Sequence, residues 1–151
     1  MIRKAVISDS VSIHELITFW AKKRKVLPRP LNYVYENIRD FWVYVEQSKI
    51  VACCALHIVG WDNLAEVKSL CVAQKYLKNG FGKKLVTRCY SEAKSLGIKK
   101  VFALTFVPKF FLRIGFSEIE RNSLPHKIWS ECVNCVYFPD CKEHAVLKDI
   151  K

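Results

Sequence analysis

The sequence predicts an α/β fold built around one mixed sheet. Three observations carry that prediction. β-rich runs and helical stretches alternate along the chain, two of the β-rich runs follow one another through a three-residue polar turn, and a glycine-bearing loop joins a strand-like run to a helix. The chain has 151 residues, where one domain takes roughly 100–200, so residues 1–151 read as a single unit without linker or internal repeat.

Residues 2–7 form a short β-prone run that gives way at Ser8-Asp9-Ser10 to helix-start chemistry, with Ser12-x-x-Glu15 as an alternative capping box. Ile13, Leu16, Ile17 and Trp20 then repeat at helical spacing, and Lys22-Lys23-Arg24-Lys25 suits the negative end of that helix as a solvated last turn. Pro28 and Pro30 hold an irregular segment, and a short helix is expected over residues 32–39. Runs at 41–45 and 50–56 read as a hairpin through Gln47-Ser48-Lys49, and a third strand is expected over 65–73. Leu85, Cys89, Ala93 and Leu96 mark a helix capped by Gly97. Residues 101–107 form an apolar strand suited to the middle of a sheet. A short helix at 110–114 is closed by Gly115, and a last strand begins at Phe116.

Composition removes several function classes. Hydrophobic residues make up 51% and charged residues 26%, with five Gly and five Pro, which excludes a disordered, collagenous or low-complexity chain. No apolar run reaches the ~18 residues of a membrane span, and the N-terminus has no signal-peptide core. A reducing cytoplasm follows, with the seven cysteines as thiols that would react with a thiol dye. The net charge of +11 favours an anionic partner: a nucleotide, a carboxylate, nucleic acid or a membrane surface.

The loop from Val72 to Leu85 narrows that choice. It carries Gly80-Phe81-Gly82 and opens a helix, where glycine lets the backbone approach a ligand and unsatisfied amides carry partial positive charge. Lys83 and Lys84 fall in the first helical turn, normally unfavourable for cations, a penalty that a bound anion removes. Lys75 and Lys78 add to the same field. A P-loop is excluded because Leu77 and Lys84 stand where it needs Gly and Ser/Thr, and a dinucleotide fingerprint because Leu85 replaces its third glycine.

Leu77-x-x-Gly80-x-Gly82 resembles the acetyl-CoA pyrophosphate loop of GNAT acetyltransferases, Q/R-x-x-G-x-G/A, with Leu77 in place of Gln or Arg, and the element order is similar to that family's. Leu27-Pro28-Arg29, Leu64 through Leu70, Val101 through Thr105, Phe110-Phe111 with Gly115-Phe116, and Leu124 through Trp129 followed by Cys132-x-x-Cys135 extend the likeness over about residues 2–148. Together they resemble amino-acid N-acetyltransferases, in the short form of N-acetylglutamate synthase. The resemblance implies a mostly antiparallel mixed sheet flanked by helices and transfer of acetyl from acetyl-CoA to the α-amino group of L-glutamate, the first step of arginine biosynthesis. Longer relatives carry an amino-acid-kinase-like domain that binds arginine, so feedback inhibition is not implied. A homodimer stays open.

The resemblance also assigns roles. Glu66 is the expected base, against the reading of an exposed strand carboxylate paired with Lys68. Arg29 is the expected anchor of the substrate carboxylate, against a surface arginine in a proline-rich loop, with Lys68 and Ser69 as weaker partners. Backbone amides of Leu70, Cys71 and Val72 are expected to polarise the thioester carbonyl, and Leu77, Lys78, Asn79, Gly80, Phe81, Gly82 and Lys83 to hold the cofactor. Phe111 stands where many relatives place a tyrosine acid. Cys132, Cys135 and Cys141, with His126 or His144, have a zinc-like first spacing but lack a second close pair, so no metal is expected. Two alternatives remain: acetylation of another amino acid or peptide amine, and a basic nucleic-acid-binding module, against which the scattered lysines and missing motifs argue.

Overall fold

The computed structural model describes residues 1–59, 63–124 and 143–151. Seven strands form one sheet in the order β1-β2-β3-β4-β5-β7-β6. They are β1 (Ile2–Lys4), β2 (Phe41–Glu46), β3 (Lys49–Ile58), β4 (Leu64–Val72), β5 (Lys100–Thr105), β6 (Ser117–Ile119) and β7 (His144–Asp149). Only β4 and β5 run parallel. The helices are α1 (Ser10–Lys22), α2 (Leu31–Glu36), α3 (Phe81–Ser95) and α4 (Pro108–Arg113). The expected order is therefore observed, with one addition: β7, which the sequence reading did not draw, enters between β5 and β6.

The first strand ends at Lys4 rather than at residue 7, for a local electrostatic reason. Asp9 accepts from both terminal nitrogens of Arg3, at 2.7 and 3.1 Å, and from the Val6 amide at 2.8 Å, which turns residues 7–9 into a single 3-10 turn. Helix α1 then starts at Ser10, so Ser12 lies inside it and is not its cap. The Arg3 guanidinium, through its hydrogen bonds, holds the Asp9 carboxyl below its ordinary value of 3.8. A carboxyl depressed on folding stabilises above its unfolded value, and that contribution is lost as pH falls through the folded value. Asp9→Asn should therefore lower the urea midpoint at pH 7, with the gap to the native protein closing on acidification below about pH 4; a gap that stays constant down to about pH 2 would remove the assignment.

The second helix stops three residues earlier than expected, because the Asn37 side-chain amide donates to the Tyr33 carbonyl at 2.9 Å and closes the turn. Strand β5 ends at Thr105 rather than 107: its hydroxyl accepts from the Val107 amide at 3.0 Å, and Pro108 then opens α4. The hairpin between β2 and β3 uses Gln47 and Ser48, both with positive φ (49° and 64°), as a two-residue turn matched to the twist of the strands requires. Gly97 (φ 83°) caps α3 as expected.

The sheet has two covered faces. On one, α3 and α4 set Leu85, Val86, Cys89, Ala93 and Phe111 against Cys54, Leu56, Ala65, Val67, Val101 and Val146. On the other, Ile13 and Ile17 of α1 and Val34 of α2 pack on Phe41, Val43, Cys53, Ala55 and Cys71. Phe41 and Phe102 are fully buried, each contributing about 1.5–3 kcal/mol from burial.

Candidate active site

Two features of β4 create the site. Its parallel pairing with β5 covers only Leu64 to Glu66 against Lys100 to Phe102, although both strands continue, so the sheet parts beyond Glu66. Past that point β4 also carries a bulge. Ala55 opposes Lys68 and Cys53 opposes Cys71, so Ser69 and Leu70 together oppose the single residue Cys54. Ser69 takes the left-handed conformation (φ 54°) that such an insertion needs. The extra residue resets the alternation. Glu66 and Lys68 project toward α2, whereas Leu70 and Val72 turn to the α3 side.

On the α3 side lies the predicted cofactor loop. Gly80 (φ 77°) precedes the helix, and the first intrahelical bond runs from the Lys84 amide to the Gly80 carbonyl at 3.2 Å. The amides of Phe81, Gly82 and Lys83 therefore come before the ladder, at the positive end of the helix. Phe81 is buried and stacks on Tyr44, ring centroids 3.8 Å apart, with Tyr76 on a second contact at 5.7 Å. That aromatic stack fixes the start of α3 against β2. A Cβ on Gly82 would come within 3.3 Å of the Phe110 ring, so glycine is what admits close packing there. Leu77, Lys78, Asn79, Gly80 and Lys83 lie exposed around the turn, and the indole of Trp20 ties the end of β4 to α1 by donating to the Val72 carbonyl at 2.8 Å.

The α2 side holds the predicted acceptor groups. Glu66 and Lys68 are 6% and 7% exposed, with Lys68 Nζ 3.9 Å from Glu66 Oε1. Glu66 is thus a buried carboxylate beside a buried ammonium, not an exposed strand residue. Arg29 and Lys68 lie over the same ring, that of Tyr33, at 4.7 and 5.4 Å from its centroid. Arg29 and Lys68 thereby share a ring that the sequence reading missed, and Glu66 joins them through Lys68. Arg29 lies before Pro30 and Tyr33 in the first turn of α2, so no helical spacing in the sequence links them. Ser69 is buried beside them, its carbonyl accepting from the Cys53 thiol at 3.5 Å.

Phe111 is buried in an edge-to-face cluster with Phe110 and Phe116, so its position supplies packing and no hydroxyl. Cys132, Cys135, Cys141 and His126 lie outside the described residues. His144 pairs with Glu118 at 2.7 Å, and among the described residues no cluster of His, Cys, Asp and Glu is able to hold a metal. Cys53, Cys54, Cys71 and Cys89 are all free and buried. Cys54 and Cys89 are in contact at 3.7 Å. Hydrogen bonding with Cys89 and then burial push the Cys54 thiol well above its ordinary 9.0, and hydrogen bonding with Cys53 and then burial do the same to Cys71. The expectation that every thiol reacts does not extend to these four, which are buried away from a reagent. A thiol-reactive dye, mapped by peptide mass, should leave them unlabelled in the native protein and label them in denaturant; native labelling of Cys54 or Cys71 would contradict this.

A cavity of about 680 Å³ between α1 and the hairpin, lined by Glu15, Phe19, Lys49 and Lys75 among others, contains none of the predicted site residues.

The acetyltransferase (GNAT) family matches residues 11–116. An uncharacterised N-acetyltransferase of Chlorobaculum tepidum is 33% identical over 149 residues, covering 99% of this chain and 96% of its own. An amino-acid acetyltransferase of Mycobacterium tuberculosis is 34% identical, covering 87% and 76% respectively. Among solved structures, a Mycobacterium tuberculosis protein crystallised with CoA superposes with a TM-score of 0.85 at 29% identity, over 100% of this chain and 99% of that one. N-acetylglutamate synthase of Neisseria gonorrhoeae superposes with a TM-score of 0.92 at 22% identity, over 100% of this chain and 35% of that one, a likeness of fold. The chain belongs to the GNAT acetyltransferase family, enzymes that transfer acetyl from acetyl-CoA to an amine.

Proposed function

We propose that the chain acetylates the α-amino group of L-glutamate, giving N-acetylglutamate and CoA, as in the opening step of arginine biosynthesis. The observation that carries this reading is the pair of cations on one ring. Arg29 and Lys68 both contact Tyr33 beside the buried Glu66 carboxylate, an arrangement suited to an acceptor with two carboxylates and an amine. The mycobacterial relative named an amino-acid acetyltransferase supports the acceptor class, and its compatriot crystallised with CoA supports the donor.

In this reading the pyrophosphate of acetyl-CoA rests on the amides of Phe81, Gly82 and Lys83, and the lysines around the turn stand in for the missing Gln or Arg at Leu77. Backbone amides of Leu70, Cys71 and Val72, beyond the point where β5 parts from β4, polarise the thioester carbonyl. Ser69 contributes to the acceptor pocket. Glu66 takes one proton from the ammonium, the free amine attacks the carbonyl carbon, and as the C–S bond breaks the second N–H proton passes through water to the departing sulfur, position 111 offering no tyrosine acid. A reducing, cytoplasmic setting goes with four free thiols. Membership of the acetyltransferase family displaces the non-catalytic nucleic-acid reading.

The test is mass-spectrometric detection of acetylated product from acetyl-CoA and each common amino acid. N-acetylglutamate should form fastest. Faster acetylation of a neutral or basic amino acid would overturn the glutamate assignment, and binding of acetyl-CoA with no product from any amino acid would move the acceptor to another amine.

A further inference from the structure

We propose that His57, held by Asp40, is the proton outlet of this site, passing the acceptor's ammonium proton from Glu66 to solvent. The inference rests on Glu66 being the base. His57 stands directly opposite Glu66 in the β3–β4 ladder. Both side chains therefore leave the same face of the sheet, and directly opposed residues hold their Cβ atoms about 4.5–5.5 Å apart.

The ring is oriented. His57 Nδ1 lies 2.7 Å from Asp40 Oδ2. An ionised carboxylate only accepts, so Nδ1–H donates to it and the neutral ring presents Nε2 as an acceptor. Asp40 comes from the 3-10 turn Ile38–Asp40 that follows α2, the helix that also supplies Tyr33. Exposure rises along the line: the Glu66 side chain is 8% exposed and that of His57 34%. A buried carboxylate that gains a proton in every turnover needs such a path to be emptied.

The charged and titratable groups near Glu66 on this face include Lys68 on β4, Arg29 before α2 and Tyr33 on it, with the buried thiols Cys53 and Cys71 further along the strands. Asp40 Oδ2, 2.7 Å from Nδ1, offsets the positive charge that the ring carries while the proton is in transit. The proton balance is closed. The ammonium N–H bond breaks as Glu66 gains the proton, the Glu66 O–H bond breaks as Nε2 gains it, and Nε2 releases it to water or a buffer base.

His57→Gln removes the titrating nitrogen but keeps an amide N–H within reach of Asp40. With L-glutamate and acetyl-CoA, kcat should fall about tenfold or more, the scale of a positioned proton-transfer group. The KM for acetyl-CoA should hold, and added imidazole should raise the variant's rate in proportion to its concentration while leaving the native rate unchanged. A defect of packing would not respond to buffer. Asp40→Asn, which keeps the ring but frees its tautomer, should show a smaller loss with the same imidazole response, and serves if His57→Gln does not fold. An unchanged kcat, or a loss that imidazole does not repair, overturns the outlet. Glu66→Gln measured alongside separates the two readings. A silent Glu66→Gln removes the base and the outlet together, whereas a severe Glu66→Gln with a silent His57→Gln removes the outlet alone.

Discussion

Glu66→Gln should lower kcat for acetyl transfer to glutamate by about 10²- to 10⁴-fold, the contribution of a positioned general base. The replacement is isosteric, so β4 keeps its course and the KM for acetyl-CoA should stay within about twofold, because the cofactor turn lies beyond the bulge and on the other side of the strand. The acidic limb of the kcat/KM profile, which reports the free enzyme's base, should disappear with the carboxylate. A second consequence follows from burial. Lys68, 7% exposed and 3.9 Å from Glu66 Oε1, would face a neutral amide, and weakening a buried ion pair from one side is destabilising. The urea midpoint should fall along with kcat. Unchanged steady-state kinetics in a folded variant would discard Glu66 as base.

Arg29→Ala should act on the other kinetic constant. Losing a charged, two-pronged contact to a carboxylate costs about 1.5–3 kcal/mol, so the KM for glutamate should rise about 10- to 100-fold, with kcat and the KM for acetyl-CoA nearly unchanged. Arg29→Lys should recover only part of the loss, since an ammonium reproduces neither the planar fork nor the stacking on Tyr33. Equal rises in both KM values would make Arg29 a structural residue of the segment before α2.

The parts of this site that sequence alone reveals are those whose signal is local. Gly80 and Gly82 announce the turn because a positive φ at one and a close ring at the other favour glycine. The hairpin at Gln47-Ser48 and the cap at Gly97 are similarly short-range. What stays hidden is what the ladder decides. Strand β7 is a six-residue run, HAVLKD, too polar and too near the end of the chain to announce its insertion between β5 and β6. Asp9 looked like the start of α1, but its carboxylate is committed to Arg3 and Val6. Tyr33 lies against Lys68, and His57 stands opposite Glu66, only through the packing of α2 on the sheet and the register of the strands.

That bulge has an evolutionary corollary. One inserted residue at Ser69 turns the two halves of a single strand to opposite sides of the sheet, so that in the proposed reading the first half addresses the acceptor and the second half the donor. Mutations around Glu66, Lys68 and Tyr33 are therefore free to retune which amine is acetylated while the donor half stays as it is. A lineage built this way can diversify its acceptors one pocket residue at a time without relearning how to hold its acetyl source.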